Sequence, residues 1–235
     1  MDVINFLSWD SEFFGYKVGQ IILHTESIFS EKWIEHARKE GYKLLYIRCV
    51  PEHPQEKKIE GMGGILVDEK VTFCQRIPQS PFEYTSSIKL YQEKTPTPQI
   101  LQLALDSGIY SRFKIDKNFK NNEFQRLYEV WIKNSTEGKI AKHVIIYQKG
   151  NETVGLLTLG EKNNRADIGI LAVNPQHRRE GVGKQLVQKA FELSLQMGHT
   201  YIQVVTQKAN QNACKFYEKV GFSVDTIEHI YHLWL

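Results

Sequence analysis

Residues 171–184 read Leu-Ala-Val-Asn-Pro-Gln-His-Arg-Arg-Glu-Gly-Val-Gly-Lys, and this stretch is the most informative in the chain. An apolar run ends, Pro175 follows, and an Arg-x-x-Gly-x-Gly pattern opens a long amphipathic segment. Glycines let backbone N–H groups gather around an anion, and the positive end of a helix dipole adds attraction. Full positive charges come from Arg178, Arg179 and Lys184. The stretch therefore predicts a pyrophosphate-binding loop that opens a helix.

Other phosphate-binding loops do not match this spacing. The Gly-x-x-x-x-Gly-Lys-Ser/Thr pattern of a Walker loop is absent. The Gly-x-Gly-x-x-Gly pattern is not matched either, because Lys184, Gln185 and Leu186 follow the second glycine and the third glycine is missing. One alternative is a plain helix start with surface arginines. The context favours the anion site, because the pattern follows a predicted strand and lies within a predicted βαβ unit.

That unit is built from the segments on either side of the loop. Residues 166–173 and 200–206 are predicted strands, and the helix between them ends near Gly198. One face of this helix is formed by Val182, Leu186, Val187, Ala190, Phe191 and Ser194. Strands joined in this way run parallel. Further predictions are a hairpin at 143–148 and 154–159, helices at 100–107, 122–134 and 210–220, and a closing antiparallel pair at 222–226 and 229–235.

Residues 92–99 form the clearest linker, because two prolines stand among threonines and charged residues. They divide the chain into an N-terminal α/β domain at 1–91 and a second domain at 100–235. In the first domain we predict strands at 18–23, 43–50 and twice within 65–77, and a helix at 29–40. The sequence contains no internal repeat of fixed period. One interpretation left open is that the N-terminal half is a partial copy of the second half.

Composition narrows the class of protein. The 235 residues suffice to bury a core, and a net charge of +3 is too mild to demand nucleic acid. The odd number of cysteines argues for free thiols and a reducing compartment. Their spacing matches no paired metal-binding motif, so we expect no metal site. Neither a signal-peptide pattern nor an apolar run of about 18 residues is present, so we expect a cytoplasmic protein without a membrane span. The oligomeric state stays open, with a homodimer among the alternatives.

The second chemically informative segment runs from Asn210 to Phe222. At about 100° per residue, Asn210, Cys214 and Tyr217 share one stripe of a helix, which suggests the wall of a site. The adjacent stripe is expected to face the core and contains Ala213, Phe216 and Val220. Tyr217 has the alternative of a half-buried aromatic whose hydroxyl finds a partner. For Cys214, packing is favoured over an acyl-carrying role, because no histidine stands in nucleophile-base order.

Arg178-x-x-Gly181-x-Gly183 and Asn210-x6-Tyr217-x3-Gly221-Phe222 together resemble the signature of the GCN5-related N-acetyltransferases, the GNAT superfamily. The resemblance implies an α/β fold with a mixed, centrally splayed sheet, joined here to a smaller N-terminal α/β domain. It also implies acetyl-CoA as co-substrate. The residues expected to bind it are Leu171, Ala172, Val173, Arg178, Arg179, Glu180, Gly181, Val182, Gly183, Lys184, Asn210 and Tyr217.

The same resemblance implies roles in catalysis. Asn210 would contact the pantetheine, and Tyr217 would act as the general acid that protonates the departing CoA thiolate. Backbone groups of residues 171–173 would contact the pantetheine and the thioester oxygen, and one such donor is typically worth about 3 kcal/mol in the barrier. The general base stays open between Asp167 and a relayed water.

Further segments resemble GNAT members that acetylate nucleotide-linked amino-deoxysugars. They are Trp9-Asp-Ser-Glu-Phe-Phe-Gly15, Ser111-Arg-Phe113, Asp167-Ile-Gly-Ile-Leu171 and Tyr231-His-Leu-Trp234. This resemblance implies an acceptor such as dTDP-4-amino-4,6-dideoxy-D-galactose, used in bacterial surface-polysaccharide biosynthesis. Arg112, with Phe113 beside it, is a candidate for binding the nucleotide phosphates, since a guanidinium presents a fork of donors.

Several alternatives remain for this part of the interpretation. Arg112 is equally well explained as a surface arginine beside a helix. The aromatic residues Trp9, Phe13 and Phe14 have a spacing that is usual for core residues. The acceptor is alternatively another small amine or a peptide N-terminus. From a different class, a non-catalytic acyl-CoA-binding module fits the same motifs.

Overall fold

The computed structural model describes residues 3–79 and 81–235, so Met1, Asp2 and Ser80 lie outside the described residues. The chain forms two compact units. The first contains residues up to Val71, with 207–209 and 226–235, and the second contains 72–206 and 210–225. The units are composed differently from the domains 1–91 and 100–235, which stay a prediction. Residues 92–99, the predicted linker, lie within the second unit.

The first unit is a sheet with the strand order β1-β2-β3-β10-β4. Its elements are β1 (Asn5–Phe6), α1 (Ser8–Phe14), β2 (Lys17–Ile22), α2 (Glu31–Lys39), β3 (Tyr42–Cys49), α3 (Glu56–Gly61), the first part of β4 (Ile65–Arg76) and the last part of β10 (Ser223–Trp234). Strand β2 is parallel to β3, and β10 is antiparallel to β3. The predicted strands at 18–23 and 43–50 and the predicted helix at 29–40 are confirmed within about two residues.

A hydrophobic core cluster of the first unit lies on one face of this sheet. Leu45 and Ile47 of β3 are fully buried there, and α2 adds Ile34. Because side chains alternate across a strand, the residues between these positions lie on the opposite face. Helix α1 contributes no buried residue, and Trp9 is 48% exposed, so a core role for Trp9 is wrong. The aromatic rings of α1 pack on one another instead, as the stacked Trp9 and Phe13 show.

The second unit contains the βαβ unit predicted from the sequence. Its further elements are β5 (Ile88–Leu90), α4 (Pro98–Ser107), α5 (Arg112–Ile115), α6 (Glu123–Thr136), β6 (His143–Lys149), β7 (Glu152–Lys162), β8 (Arg165–Val173), α7 (Val182–Gln196), β9 (Tyr201–Gln207) and α8 (Gln211–Lys219). From β4 the strand order continues as β9-β8-β7-β6-β5. Strands β8 and β9 are parallel, whereas β7 is antiparallel to β8, so the sheet is mixed as predicted.

Helices cover both faces of the sheet in the second unit. Helices α4 and α6 pack on one face, where Ile100 and Ile132 meet Leu156 and Ile170 in a common core cluster. Helix α7 approaches β7 so closely that a Cβ atom at Gly155 would lie 2.8 Å from Cγ1 of Val182. This close approach fixes the start of α7 against the sheet.

Two parts of the predicted strand pattern are wrong. The segment 65–77 forms one strand, β4, instead of two, and 223–234 forms one strand, β10, instead of an antiparallel pair. The predicted turn falls at residues 227–228, but the chain stays extended there, and Glu228 is held by Arg48 and, at 2.7 Å, by Lys70. A polar side chain with a partner across the sheet therefore replaces the expected turn.

Two general features bear on the chemistry. No helix in 3–79 or 81–235 has the length and apolar character needed to cross a membrane. The cysteines Cys49 and Cys74 are buried and Cys214 is half-buried, and all are thiols.

Candidate functional site

Strands β8 and β9 separate toward their carboxyl ends. Their register pairs Ala166 with Ile202, Asp167 with Gln203, and Ile168 with Val204. Beyond these positions β8 continues to Val173 and β9 to Gln207, and the register records no further pair between them in the described part of the chain. The result is a gap in the middle of the sheet, as a splayed sheet requires.

A β-bulge in β8 lies at the point where the strands separate. Ile168 pairs with Leu159 and Ile170 with Thr158, so Gly169 between them is the extra residue. The N–H of Ile170 donates to the hydroxyl of Thr158 at 2.9 Å. The bulge therefore changes which backbone groups of β8 face its two neighbours.

Beyond the bulge, alternate backbone groups of β8 point into the gap. The N–H of Asn174 donates to the carbonyl of Val154 on β7 at 2.8 Å. Since N–H groups of successive strand residues point to opposite edges, the N–H of Ala172 also faces β7, and those of Leu171 and Val173 face the gap. Two backbone donors are thereby directed toward any molecule that enters between β8 and β9.

The start of α7 offers a second set of donors. Gly181 is the N-cap residue with φ +81°, and no side chain caps the helix. The first bond of the helix runs from the N–H of Gln185 to the carbonyl of Gly181 at 3.1 Å. The N–H groups of residues 182–184 precede that bond, so they stay available together with the positive end of the dipole. The helix start thus has the features of an anion site.

The charged residues of the loop take different places. Arg179 and Lys184 are exposed, and Arg179 has a left-handed backbone with φ +67°. Arg178 folds back, and its Nε donates to the carbonyl of Val173 at 3.2 Å. Glu180 binds Lys149 at 2.7 Å, and this hydrogen bond holds the pKa of Glu180 below its usual value. Glu180 therefore neutralises Lys149, and the other loop residues supply the positive charge.

Gly183 lies where α7, α8 and β8 meet. A Cβ atom at this position would lie 3.2 Å from the ring of Phe216 and 3.7 Å from Cγ2 of Val173. The glycine is therefore needed for close packing on the inner side of the loop, and its small size lets the helix start approach the end of β8.

Helix α8 positions the predicted polar residues. Asn210 is its N-cap residue, and its Oδ1 accepts from the N–H of Ala213 at 3.3 Å. Tyr217 is 5% exposed and lies among the rings of Phe73, Phe216 and Phe222. The predicted core stripe is wrong in detail, because Tyr217 is the buried residue of α8 and the members of that stripe are half-buried: Ala213, Phe216 and Val220.

Burial determines the protonation state of two side chains of this helix, Tyr217 and Cys214. Burial raises the pKa of Tyr217, and the neighbouring Cys214 adds to the effect. Burial also raises the pKa of Cys214, with a further contribution from Glu218. Both groups are therefore protonated at neutral pH, and a thiolate nucleophile at Cys214 is disfavoured.

The other candidate residues lie apart from the loop. Asp167 belongs to the paired part of β8 and β9 and accepts from Nε2 of Gln203 at 2.8 Å. Arg112 and Phe113 lie on α5, which contacts α6, and the Arg112 guanidinium stands 4.7 Å from the centre of the Phe113 ring. In residues 3–79 and 81–235, no cluster of three or more His, Cys, Asp or Glu side chains has a metal-binding arrangement.

Sequence reasoning missed Gly169 and Thr158. An isolated glycine inside an otherwise apolar strand is a sign of a bulge, so the signal for Gly169 was present in the sequence. Thr158 carries no such signal, because its role depends on the register between β7 and β8.

The sequence and the fold of this chain are similar to those of known acetyltransferases. Residues 100–222, more than half of the chain, match the model of the acetyltransferase (GNAT) family. A solved GCN5-related N-acetyltransferase from Sphaerobacter thermophilus superposes with a TM-score of 0.53 at 14% identity, covering 87% of this chain and 65% of that one. The structural likeness shows a shared fold.

Two curated relatives align over more residues than the family model. The spore coat polysaccharide biosynthesis protein SpsD of Bacillus subtilis is 25% identical over 185 residues, covering 71% of this chain and 64% of SpsD. The dTDP-fucosamine acetyltransferase of Escherichia coli O6:H1 is 29% identical over 170 residues, covering 72% of this chain and 71% of that protein. The match to SpsD thus spans slightly less than two thirds of the length of that relative.

Proposed function

The chain belongs to the GNAT acetyltransferase family, and we propose that it transfers the acetyl group of acetyl-CoA to the amine of a nucleotide-linked amino-deoxysugar. The observation that carries this proposal is the uncapped start of α7 in the same unit as the gap between β8 and β9. The helix start provides donors for a pyrophosphate, and the gap provides donors for an extended amide chain.

The residues present fit acetyl-CoA. Backbone N–H groups of 182–184, with the charges of Arg179 and Lys184, would hold the pyrophosphate. The N–H groups of Leu171 and Val173 would bind the pantetheine and the thioester oxygen. When bound, acetyl-CoA supplies a thioester carbonyl that a neutral amine can attack.

Tyr217 is the proposed general acid for the leaving thiolate. Its raised pKa keeps the phenol protonated, so the group can donate a proton but cannot serve as a resting base. Transfer is direct from thioester to amine, which agrees with the protonated state of Cys214. The proton of the attacking amine passes either to Asp167 or to a relayed water.

The identity of the acceptor rests on the relatives. The alignments with SpsD and with dTDP-fucosamine acetyltransferase extend beyond the length matched by the family model. The names of these two relatives refer to polysaccharide biosynthesis and to an amino-sugar nucleotide. On this basis dTDP-4-amino-4,6-dideoxy-D-galactose is the first acceptor to test. We propose that Arg112 and Phe113 assist in binding its nucleotide.

The decisive experiment compares acceptors at one concentration of acetyl-CoA. The nucleotide sugar, its 3-amino isomer, the free amino-sugar, simple amines and peptides would be incubated with the protein, and CoA and acetylated product separated by chromatography. We expect the highest kcat/KM for a nucleotide sugar, because contacts remote from the amine help to orient it.

The other outcomes correct or refute the proposal. Preference for the 3-amino isomer would change the sugar and keep the class. Preference for a simple amine or peptide would refute the sugar assignment and leave an acetyltransferase. Tight acetyl-CoA binding without turnover of any amine would support a non-catalytic module.

A further inference from the structure

One side chain of β7 holds the bulge of β8. Thr158 is only 2% exposed, and its Oγ1 accepts from the N–H of Ile170 at 2.9 Å across the two strands. The register places Ile170 opposite Thr158 and Ile168 opposite Leu159, so this hydrogen bond lies directly beyond the extra residue, Gly169. A side-chain oxygen therefore satisfies a backbone donor at the irregular point of this strand pair.

A hydroxyl at this position has no role in apolar packing. The neighbours of Thr158 on β7 are apolar and fully buried, among them Leu157 and Leu159. Burial of a polar group in such surroundings costs free energy unless the group is hydrogen-bonded. A bulge interrupts the ladder, and a backbone N–H beside it can lose its carbonyl partner. The bond from Ile170 to Thr158 therefore meets the needs of both groups.

The extra residue is enclosed by this hydroxyl and by an indole. A Cβ atom at Gly169 would lie 3.0 Å from Oγ1 of Thr158 and 3.7 Å from Nε1 and Cζ2 of Trp131. Trp131 of α6 packs against the core cluster that contains Ile170. A glycine at this point thus leaves room for both side chains, and the bulge is fixed by packing as well as by the hydrogen bond.

The hydrogen bond to Thr158 also determines where the next backbone donor points. The N–H groups of Ile170 and Asn174 are both directed to β7, where they reach Thr158 and the carbonyl of Val154. Since N–H groups of successive strand residues point to opposite edges, the N–H of Leu171 faces the gap between β8 and β9. Leu171 is the first residue beyond this hydrogen bond, so its direction depends most directly on Thr158.

We propose that Thr158 is a positioning residue for acetyl transfer. Its hydroxyl fixes the bulge so that the N–H of Leu171 points at the thioester oxygen of bound acetyl-CoA. When the amine nitrogen bonds to the carbonyl carbon, negative charge develops on that oxygen, and a donor already in place stabilises it. Thr158 acts through Leu171 without contacting the reacting atoms. The inference rests on the proposed function, since it names the residue that directs a donor of that site.

The kinetic test compares Thr158→Val, which keeps the shape and loses the acceptor oxygen, with Thr158→Ser, which keeps the oxygen. We expect Thr158→Val to lower the single-turnover rate by about 10- to 100-fold, somewhat less than the loss of a whole oxyanion donor. Affinity for acetyl-CoA, measured by calorimetry, should change little, and Thr158→Ser should restore most of the rate. Thr153→Val is the matched control, because Thr153 is a buried threonine of the same strand whose register partner is Gln148 of β6.

A spectroscopic test needs no acceptor. A hydrogen bond to a carbonyl oxygen lowers its stretching frequency, so infrared difference spectra of acetyl-CoA isotopically labelled at the thioester carbonyl report on the donor. The frequency in the bound state should be higher in Thr158→Val than in the parent and in Thr158→Ser. Gly169→Ala should have the same effect, because its methyl group would press on the hydroxyl. A merely structural threonine would lower Tm in thermal melts and leave the carbonyl frequency unchanged.

The same single-turnover rate and carbonyl frequency in Thr158→Val and in the parent would overturn the positioning role. A loss that Thr158→Ser does not restore would also overturn it, because the hydroxyl would then not be the group responsible. The acceptor comparison decides the proposed function separately. A nucleotide sugar acetylated equally well by the parent and by Thr158→Val would refute this role and support that function. Preference for a simple amine would refute the sugar acceptor, and the carbonyl frequency would still decide the role of Thr158.

Discussion

Tyr217 is a phenol enclosed by aromatic rings, and this environment decides what it can do. Desolvation disfavours the charged form of a buried tyrosine, which is why its pKa is raised. A group that stays protonated at neutral pH is suited to donation, and the ring contacts with Phe73 and Phe222 hold it in place. Its hydroxyl is therefore the part whose loss should affect chemistry rather than packing.

Tyr217→Phe should lower kcat by roughly 10² to 10⁴, the usual contribution of a positioned acid. Affinity for acetyl-CoA should change much less, because the ring that packs is retained. The measurement is single-turnover acetylation together with calorimetry of acetyl-CoA binding. Tyr201→Phe is the matched control, since Tyr201 is 48% exposed. Unchanged single-turnover rates in Tyr217→Phe would remove this residue from the mechanism.

Gly183 tests whether the loop binds the cofactor. A valine there would press on Phe216 and Val173 and displace the start of α7 from the end of β8. Acetyl-CoA affinity should fall at least tenfold, or about 1.4 kcal/mol, with a smaller loss for Gly183→Ala. Gly61→Val is the control, because a Cβ at Gly61 meets nothing within 4 Å. A folded Gly183→Val that binds acetyl-CoA normally would disprove the loop assignment.

Helix α7 depends on its approach to β7 as much as on its own sequence. Gly155→Ala would place a methyl group 2.8 Å from Val182 and 3.0 Å from Leu186. Overpacking of this kind costs about 1–3 kcal/mol, and each kcal/mol lowers Tm by about 2–4 °C in a chain of this size. Calorimetric melting would measure the shift, with Gly61→Ala as reference. An unchanged Tm would mean that α7 accommodates the added methyl group without a loss of stability.

Glu228 of strand β10 forms ion pairs with Arg48 and Lys70, and their contribution to stability depends on pH. Burial raises the pKa of Glu228, but the contacts with Lys70 and Arg48 outweigh it and hold the pKa below the usual value. A carboxyl whose folded pKa is depressed stabilises the fold above its unfolded pKa of about 4.3, and this stabilisation is lost as the pH falls through the folded pKa.

We therefore expect Glu228→Gln to reduce the loss of unfolding free energy on acidification. Urea titrations near pH 6 and near pH 3 would give that loss for the parent and for the variant. Glu83→Gln provides a carboxyl for which no interaction with Arg48 or Lys70 is recorded among the described residues. The same pH dependence in Glu228→Gln and the parent would show that this carboxyl does not contribute.

The long periodic elements were predictable from sequence, and the exceptions have physical causes. Helix α7 and strand β8 have apolar residues at regular spacing, and both were found within a few residues of their bounds. Helix α1 was missed because its aromatic residues give no buried face. The break expected at residues 227–228 of β10 is absent because Glu228 binds Arg48 and Lys70, which are distant in sequence.

The candidate site was predictable to a similar extent. The residues of the loop and of α8 lie as motif spacing suggests, at a helix start and on a helix. What spacing could not give is the direction of a backbone group or of a side chain. The bulge at Gly169 and the fold-back of Arg178 onto Val173 depend on tertiary contacts that no local pattern contains.

At the scale of the whole molecule, the region matched by the family model is smaller than the compact unit that contains it. The model begins at residue 100, whereas the second unit begins at residue 72. Residues 72–99 supply buried side chains to that unit, among them Phe73, Ile77 and Ile88. Phe73 lies 5.7 Å from Tyr217, so part of the environment of the proposed acid comes from outside the matched region.

A fragment of residues 100–235 should therefore fail to fold, although it contains the whole matched region. It lacks β5, the partner of β6, and the buried Phe73 and Ile77. Full burial of such side chains contributes about 1.5–3 kcal/mol each. Circular dichroism and thermal melting would be compared with residues 72–235. A cooperative transition for 100–235 equal to that of the longer fragment would contradict this expectation.

The covered thiols have a practical consequence for assays. Burial and Glu56 raise the pKa of Cys49 to about 12, and burial likewise raises the pKa of Cys74 and Cys214. Chromogenic aromatic disulfides react with thiolates, so the folded enzyme should consume such a dye slowly at neutral pH. The small, solvent-borne thiol of released CoA would react first. Turnover can therefore be followed continuously by colour with the cysteines left in place, and a sudden rise in background would signal that the enzyme has begun to unfold.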